Sequence, residues 1–262
     1  MKLASLSARL AGALGATLTV VALGGCAVAN PSPRDPWEGF NRGAYEFNEG
    51  VDRVVLRPVA TLYRDKVPPL VRTGVSNFFG NLGDAWSAVN SLLQFRLQDF
   101  EENLARFHIN TMFGVFGIFD VASNLNIERH REDFGQTLGR WGVPAGPYLV
   151  IPLLGSSTLR DAVALPVDYR YDLVRQIDPA GTRHAVQAVR IVDRRSNLLR
   201  VGNVLEEAAL DKYSFTRDAY LQRRRAEVYD RGDDKEVPPA LPDESQVPSS
   251  APAGRPAAAP AR

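Results

Sequence analysis

Apolar side chains recur at three- and four-residue steps through the first globular stretch of the chain, at Trp37, Phe40, Ala44, Phe47 and Val51. That spacing puts them on one face of a helix. Just ahead, Asp35-Pro36-Trp37-Glu38 offers a carboxylate at the N-cap, proline at the first helical position and glutamate at N3, a capping-box arrangement. The first helix is expected to end near Gly50, where the chain turns before the segment 51–57. Pro58 opens a second short helix and Pro68-Pro69 a third, running to Asn77-Phe78-Phe79-Gly80. Leu82 to Gln94 reads as a fourth. Asp99-Phe100-Glu101-Glu102 is a second capping box, opening a helix whose Leu104 and Phe107 share a face. Downstream, Ser157 caps a short helix that stops before Pro166. Asp178-Pro179 opens a longer one through about Val192, with Ala185, Val186, Val189 and Val192 as its apolar stripe. Further helical segments are expected near 198–210 and 216–229. Strand signals are few, so the predicted class is mainly α.

Two stretches break this rhythm. Residues 109–122, INTMFGVFGIFDVA, are apolar on nearly every side and are interrupted by Gly114 and Gly117. In a soluble protein they would form a fully buried core helix; in a lipid-tethered one, a helix apolar all round dips into the bilayer. The stretch is shorter than the roughly 20 residues that span a membrane. Residues 133–154 carry Gly139, Gly142, Gly146, Pro144 and Pro147, too much punctuation for a long regular helix. A hairpin-like loop is expected there, followed by an extended apolar segment from Tyr148 to Leu154. Its Leu138, Trp141 and Val143 are either covered by the core or, if exposed, part of a binding or membrane element.

The ends of the chain change the picture. Lys2 and Arg9 precede an apolar run from Leu10 to Leu23, the length of a signal-peptide core. Leu23-Gly24-Gly25-Cys26 resembles a bacterial lipobox, which implies cleavage before Cys26 and acylation of its thiol and new N-terminus. The other reading is an ordinary secretory peptide that ends near a cysteine. Cys26 is the sole cysteine, so an internal disulfide is excluded. Ala27 rather than Asp after it points, by similarity to other lipoproteins, to the outer membrane. From Asp233 onward the chain lacks aromatic residues and is dominated by Pro, Ala and Ser, a composition that cannot offset its ordering entropy. The expected organisation is a signal peptide (1–25), a lipidated tether (26–34), a folded domain (35–231) and a disordered tail (232–262).

Composition then removes whole classes of function. With 31 basic and 30 acidic residues there is no electrostatic case for nucleic acid. Arg223, Arg224 and Arg225 in succession read first as a solvated helix face and second as a contact for lipid phosphates or an acidic partner. His108, His130 and His184 lie far apart without paired-ligand spacing, so no metal is expected. Gly155-Ser156-Ser157-Thr158-Leu159 lacks the second glycine of a nucleophile elbow, and no phosphate-binding loop or dinucleotide fingerprint is present. Glu101-Glu102 and Glu206-Glu207 sit on predicted helices, where a solvated face accounts for them. Neither an enzyme nor a cofactor-binding protein is expected.

Several segments, in order, carry a more specific signal: Asp35 to Arg42 (DPWEGFNR), Leu56 to Ala60 (LRPVA), Val75 to Leu82 (VSNFFGNL), Asn110-Thr111 with Gly114 to Ala122, Phe134 to Gly139 (FGQTLG), Gly146-Pro147-Tyr148 and Thr158 to Asp161 (TLRD). Their ordered series resembles the MlaA/VacJ family of outer-membrane lipoproteins across nearly all of 35–231. The resemblance implies an all-α, ring-shaped protein embedded in the inner leaflet of the outer membrane. It further implies a channel that admits phospholipids misplaced in the outer leaflet, hands them to a soluble periplasmic carrier, and thereby maintains lipid asymmetry. Trimeric porins are the implied partners, and no covalent chemistry or cofactor is implied. Within that frame the loop from Phe134 to Pro147 is the candidate gate, with Phe134, Leu138, Gly139, Trp141, Gly142, Pro144, Gly146 and Pro147 as its residues. Phe113, Phe116 and Phe119 are the candidate membrane-facing side chains. Phe47 and Asn48, just before the expected turn, are candidates for setting the channel's state: deleting the pair would rotate everything beyond by about 200°. Two other classes share parts of this reading. A tethering lipoprotein needs the anchor but neither the apolar stretch nor the Gly/Pro loop, and a phospholipase needs a nucleophile and base that the sequence does not display.

Overall fold

The computed structural model describes residues 33–208 and 211–229. Cys26, the signal peptide, nearly all of the tether and the tail from residue 230 lie outside the described residues. In chain order the elements are α1 (Glu38–Val51), a π-helical turn (Asp52–Leu56), α2 (Arg57–Lys66), α3 (Pro69–Leu93), α4 (Leu97–Met112), α5 (Val121–Asn124), α6 (Phe134–Arg140), β1 (Tyr148–Ile151), β2 (Gly155–Thr158), α7 (Leu159–Tyr171), a 3₁₀ turn (Leu173–Gln176), α8 (Ala180–Ala208) and α9 (Lys212–Tyr229). The two strands form one antiparallel hairpin, with Tyr148 opposite Thr158 and Ile151 opposite Gly155. The fold is mainly helical, as the pattern predicts.

Several boundaries differ from expectation, each for a physical reason. Gly50 does not turn the chain: α1 runs through the π-helical turn directly into α2, so residues 38–66 form one helical path. Asp35 is not an N-cap. Its buried carboxylate accepts from Asn41 Nδ2 at 2.7 Å, from the Tyr213 hydroxyl and from Arg217, so it clasps α1 to α9 instead. Likewise α4 opens at Leu97, and Asp99 on its first turn pairs with Arg96 at 3.3 Å. The third and fourth predicted helices are the single 25-residue α3. Gly80 does not stop it; a Cβ there would lie 2.7 Å from the Arg129 guanidinium, so glycine serves close approach. Thr158, not Ser157, caps α7, which continues through Pro166 to Tyr171. Beyond the proline, Asp168 accepts from Trp86 Nε1 at 2.8 Å and from the Phe134 amide at 2.9 Å, and Tyr171 stacks on Trp86. Those contacts hold the second half of the helix. α8 continues well past Val192 because its polar residues clamp it to its neighbours: Arg190 to Asp172, Asp193 to Tyr63 and Ser76, and Arg195 to Asp52.

What the helices bury is unusual. The apolar core is small, built on Ala44, Tyr148, Val150 and Tyr213. Fully buried side chains are dominated by polar groups, among them Asn41, Asn81, Asn90, Asn103, Asn110, Thr137 and Arg106. Several of them tie distant segments together: Asn41 donates to the Tyr148 carbonyl and accepts from the Val150 amide, and the half-buried Asn48, two turns along α1, donates to the Ile151 carbonyl and accepts from the Leu153 amide. The large apolar side chains point the other way. Trp37, Phe40 and Phe47 of the predicted apolar face are exposed, as are Val54, Val55, Val59 and Leu62 along the same helical path. Large apolar side chains left uncovered in this number mark a surface made for a partner or a membrane. Among the described residues no helix is long and apolar enough to cross a membrane.

Candidate functional site

The apolar stretch 109–122 is neither a buried core helix nor a regular helix. α4 ends at Met112, and Val115, Phe116 and Gly117 follow with φ of 52°, 56° and 91°. Left-handed backbone at two bulky residues costs of order 1–3 kcal/mol each and persists only where the surroundings impose it. They are imposed by α4 and α3: the Phe116 amide donates to the Thr111 carbonyl, the Gly117 amide to the Asn110 carbonyl, and Asn77 Nδ2 to the Ile118 carbonyl. Gly117 has a second reason to be glycine, since a Cβ would sit 2.5 Å from that of Asn81. The result is a fixed loop whose Phe113 (71% exposed), Phe116 (70%) and Phe119 (55%) project outward. All three side chains expected to face a membrane are thus exposed, and Phe119 also borders a cavity.

A buried ionic base supports this loop. Arg106, 1% exposed, donates Nη2 to both oxygens of Asp120 at 2.7 and 2.8 Å, and Nη1 to the Ile127 carbonyl at 2.5 Å. Asp120 also caps α5 through the Ser123 amide and accepts from Asn110 Nδ2. Asp84 lies beneath, 2.8 Å from Arg129 Nε and 3.6 Å from Arg106 Nε. The two carboxyls titrate in opposite directions. Burial raises Asp84, against the pull of Arg129 and Arg106. Burial would also raise Asp120, but hydrogen bonds from Ser123 and Asn110 and the Arg106 charge outweigh it and bring it down to about 2. Asp120 therefore contributes stability that is present above its unfolded pKa of about 3.9 and lost as pH falls toward 2. Asp84 has the opposite sign: its charge is disfavoured by folding, so its penalty is relieved on acidification. Acid titration of wild type and Asp120→Asn, followed by far-UV circular dichroism, should show the loss between about pH 4 and 2 largely absent in the variant.

Two cavities flank this base. One, of about 690 Å³, lies between α3 (Leu70, Gly74, Phe78), the loop (Ile118, Phe119) and α8 (Ala185, Val186, Val189). Three members of the apolar stripe predicted on α8, Ala185, Val186 and Val189, thus wall a cavity. The other, of about 490 Å³, is a polar crevice lined by Arg106, Asp120, Ser123, Asn126, Ile127, Glu128 and Arg129. Asp120 belongs to both walls, so apolar and charged compartments adjoin.

The expected gate loop divides in two. Phe134 to Arg140 form α6, opened by a capping box between Asp133 and Gln136. Glycines at 135 and 139 do not loosen it; Cβ atoms there would meet Asp161 and Arg224, or Arg160, at 2.5–2.6 Å, so they permit close packing. Phe134, Leu138 and Gly139 are therefore fixed on a helix, a correction to the hairpin reading. The true loop is 141–147. It contains Trp141, which donates Nε1 to the Leu93 carbonyl at 3.0 Å, together with Pro144, Pro147 and the positive-φ residues Gly142 and Gly146. The predicted extended segment begins as β1 at Tyr148. Phe47 and Asn48 lie inside α1, with Phe47 exposed and Asn48 pinning the β-hairpin.

Some residues escaped the sequence reading. Arg224 is not solvated: it reaches both oxygens of Asp133 at 2.6 and 2.7 Å and both of Asp161 at 2.9 and 3.1 Å. Only Arg223 of the run is clearly solvated, with its side chain 68% exposed. Asp84, Arg106 and Asp120 stand in no recognisable motif, although Asn103, Arg106 and Asn110 recur at helical spacing and form a polar stripe facing inward. The groups that could have suggested catalysis are otherwise engaged. Ser157 Oγ donates to the Thr158 carbonyl, and His130 Nε2 is 2.6 Å from Glu102. Among the described residues no group of three His, Cys, Asp or Glu is placed to hold a metal.

A family model described as MlaA lipoprotein matches residues 33–227. The intermembrane phospholipid transport system lipoprotein MlaA of Escherichia coli (strain K12) is 38% identical over 219 residues, covering 80% of this chain and 84% of that protein. The Haemophilus influenzae protein of the same name is 35% identical over 244 residues, covering 88% and 95%. A solved structure from work on the structural basis for maintenance of bacterial outer membrane lipid asymmetry superposes with a TM-score of 0.64 at 37% identity, covering 72% of this chain and 96% of that one.

Proposed function

The chain belongs to the MlaA lipoprotein family, and on that premise we propose that it removes mislocalised phospholipids from the outer leaflet of the outer membrane and passes them to a soluble periplasmic carrier, maintaining lipid asymmetry. The observation that carries the reading is the inverted distribution of side chains: polar groups inside, large apolar ones outside, around an apolar cavity that adjoins a charged crevice. Acyl chains find hydrocarbon-like walls in the first, while a headgroup, whose burial without partners would cost several kcal/mol, finds polar partners in the second. The exposed Phe113, Phe116 and Phe119 suit a bilayer, and helices satisfy their own backbone groups there. Acylation of Cys26 would anchor the protein on the periplasmic face, and trimeric porins are its proposed partners in the membrane plane.

Lipid release from reconstituted outer-membrane vesicles tests the function. Intact phospholipid in the carrier supports transport, lysophospholipid would mean a phospholipase, and neither product would mean a tether. The anchor is tested apart from it: Cys26→Ala should take up no radioactive palmitate.

Loop 141–147 is our candidate gate, narrowed from 134–147 because α6 is packed in place. Asn48 holds the facing β-hairpin to α1, so deleting Phe47 and Asn48 should release that hairpin and leave the channel uncontrolled. For the gate, a cysteine in 141–147 paired with one on α3, chosen with Cα atoms within about 7 Å, should abolish lipid transfer when oxidised and restore it on reduction. Equal transfer in both states would make the loop scaffold.

A further inference from the structure

Left-handed backbone in this molecule recurs where a large apolar side chain is held out, and one such place lies away from the loop at 113–119. We infer that the turn between α3 and α4, with Phe95 at its tip, is a second contact with lipid, at the boundary between headgroups and acyl chains. The inference rests on the membrane seating proposed above and adds to it a separate place of contact.

Five non-glycine residues among those described have φ between 52° and 66°: Phe95, Val115, Phe116, Asn126 and Leu153. Asparagine adopts that conformation readily; for the others it carries a steric cost that glycine avoids. Those four are all large, apolar and exposed. At Phe95 the cause is the way α3 ends. The Phe95 amide donates to the Leu92 carbonyl and the Arg96 amide to the Ser91 carbonyl. That pair of bonds is a Schellman closure, and it puts residue 95 at the position usually given to glycine. The Phe95 side chain is 86% exposed, more than any other large apolar one among the described residues, so contacts within the protein do not offset the strain. Strain kept without internal return points to a task outside the protein. The neighbouring side chains indicate lipid. Gln94 is buried and donates to Glu132 and Thr137, while Arg96 folds back onto Asp99 and Glu132. Phe95 and Leu97 are left outside, the reverse of a turn made for water. A protein partner would form about one hydrogen bond per 100–200 Å² of interface, and the turn has withdrawn both polar side chains suited to one. Trp141, also exposed, covers the Leu93 carbonyl through Nε1 and supplies the amphipathic ring that favours a membrane–water boundary. The 16 residues of α4, about 24 Å, separate this tip from the 113–119 loop, so a hydrocarbon core about 30 Å thick reaches both.

Phe95→Gly should relieve the strain and remove the contact together, so stability and membrane binding should move in opposite directions. Flotation of the mature, unacylated chain over a series of concentrations of protein-free phosphatidylethanolamine–phosphatidylglycerol liposomes gives a partition coefficient. That coefficient should fall about tenfold, the size expected when about half of a phenylalanine's transfer out of water is lost. The unfolding temperature in detergent should rise by about 2–4 °C. Phe95→Leu keeps an apolar side chain on the same backbone and should partition within about threefold of wild type. A partition coefficient unchanged by Phe95→Gly would overturn the inference and leave seating by the 113–119 loop standing. A lower unfolding temperature would mean that Phe95 packs against the protein, and would overturn it as well. If wild type itself does not float, the membrane seating falls together with it.

Discussion

Phe116→Asp with Phe119→Asp should yield a folded protein that no longer seats in a bilayer. Both side chains are more than half exposed, so neither aspartate would be enclosed by the protein, although Phe119 also borders the apolar cavity. Seating an aromatic side chain in hydrocarbon is worth about 1.5–3 kcal/mol, whereas an aspartate there costs about 2.5–3.5 kcal/mol. Two such exchanges outweigh the binding energy of any single loop. The measurement is flotation of the mature, unacylated chain with liposomes, where no lipid anchor masks the loss. Flotation should fall by at least about a hundredfold, with the unfolding temperature within about 2 °C of wild type. Global unfolding would instead mean that the loop packs inside, and unchanged flotation would mean that another surface holds the membrane.

Arg106→Leu should be the most damaging single substitution in the helical body. It leaves Asp120 and the buried Asp84 without the guanidinium between them, and it removes the bond to the Ile127 carbonyl. Breaking one partner of a buried pair costs about 3–5 kcal/mol because the remaining charge stays buried. Denaturant unfolding in detergent measures it. Adding Asp120→Asn to Arg106→Leu should recover part of the loss, since the two act through one interaction. Additive losses would show that the pair contributes little and that Arg106 acts through packing alone.

Much of the helical layout could be read in the sequence, yet the direction its faces point could not. Trp37, Phe40, Ala44 and Phe47 do share a face, but only Ala44 is buried. Periodicity reports that a face is apolar and is silent on whether protein or lipid covers it. Gly80 and Gly139 misled for a related reason. A glycine that ends a helix and one that admits a neighbour look alike until Arg129 or Arg160 is seen against it. Asp35 and Arg224 failed as local readings because their partners, Tyr213 and Asp161 among them, come from distant parts of the chain. The candidate site was half legible. Its aromatic loop stood out as apolar residues broken by glycine, whereas the Arg106–Asp120–Asp84 base needed the polar stripe on α4 to be read as an inward face.

The outward-turned apolar side chains also bear on how the protein reaches its place of work. A lipoprotein destined for the outer membrane has to cross an aqueous compartment first. With Phe113, Phe116, Trp37, Phe40 and the valines of the π-helical turn uncovered, water is a poor solvent for the folded state. Folding leaves this surface uncovered; under the proposed function a membrane would cover it. On the proposed route such a protein would call for an escort that covers its apolar surface, or for a delay in folding until arrival. A chain stripped of its detergent should accordingly self-associate while its helices remain intact.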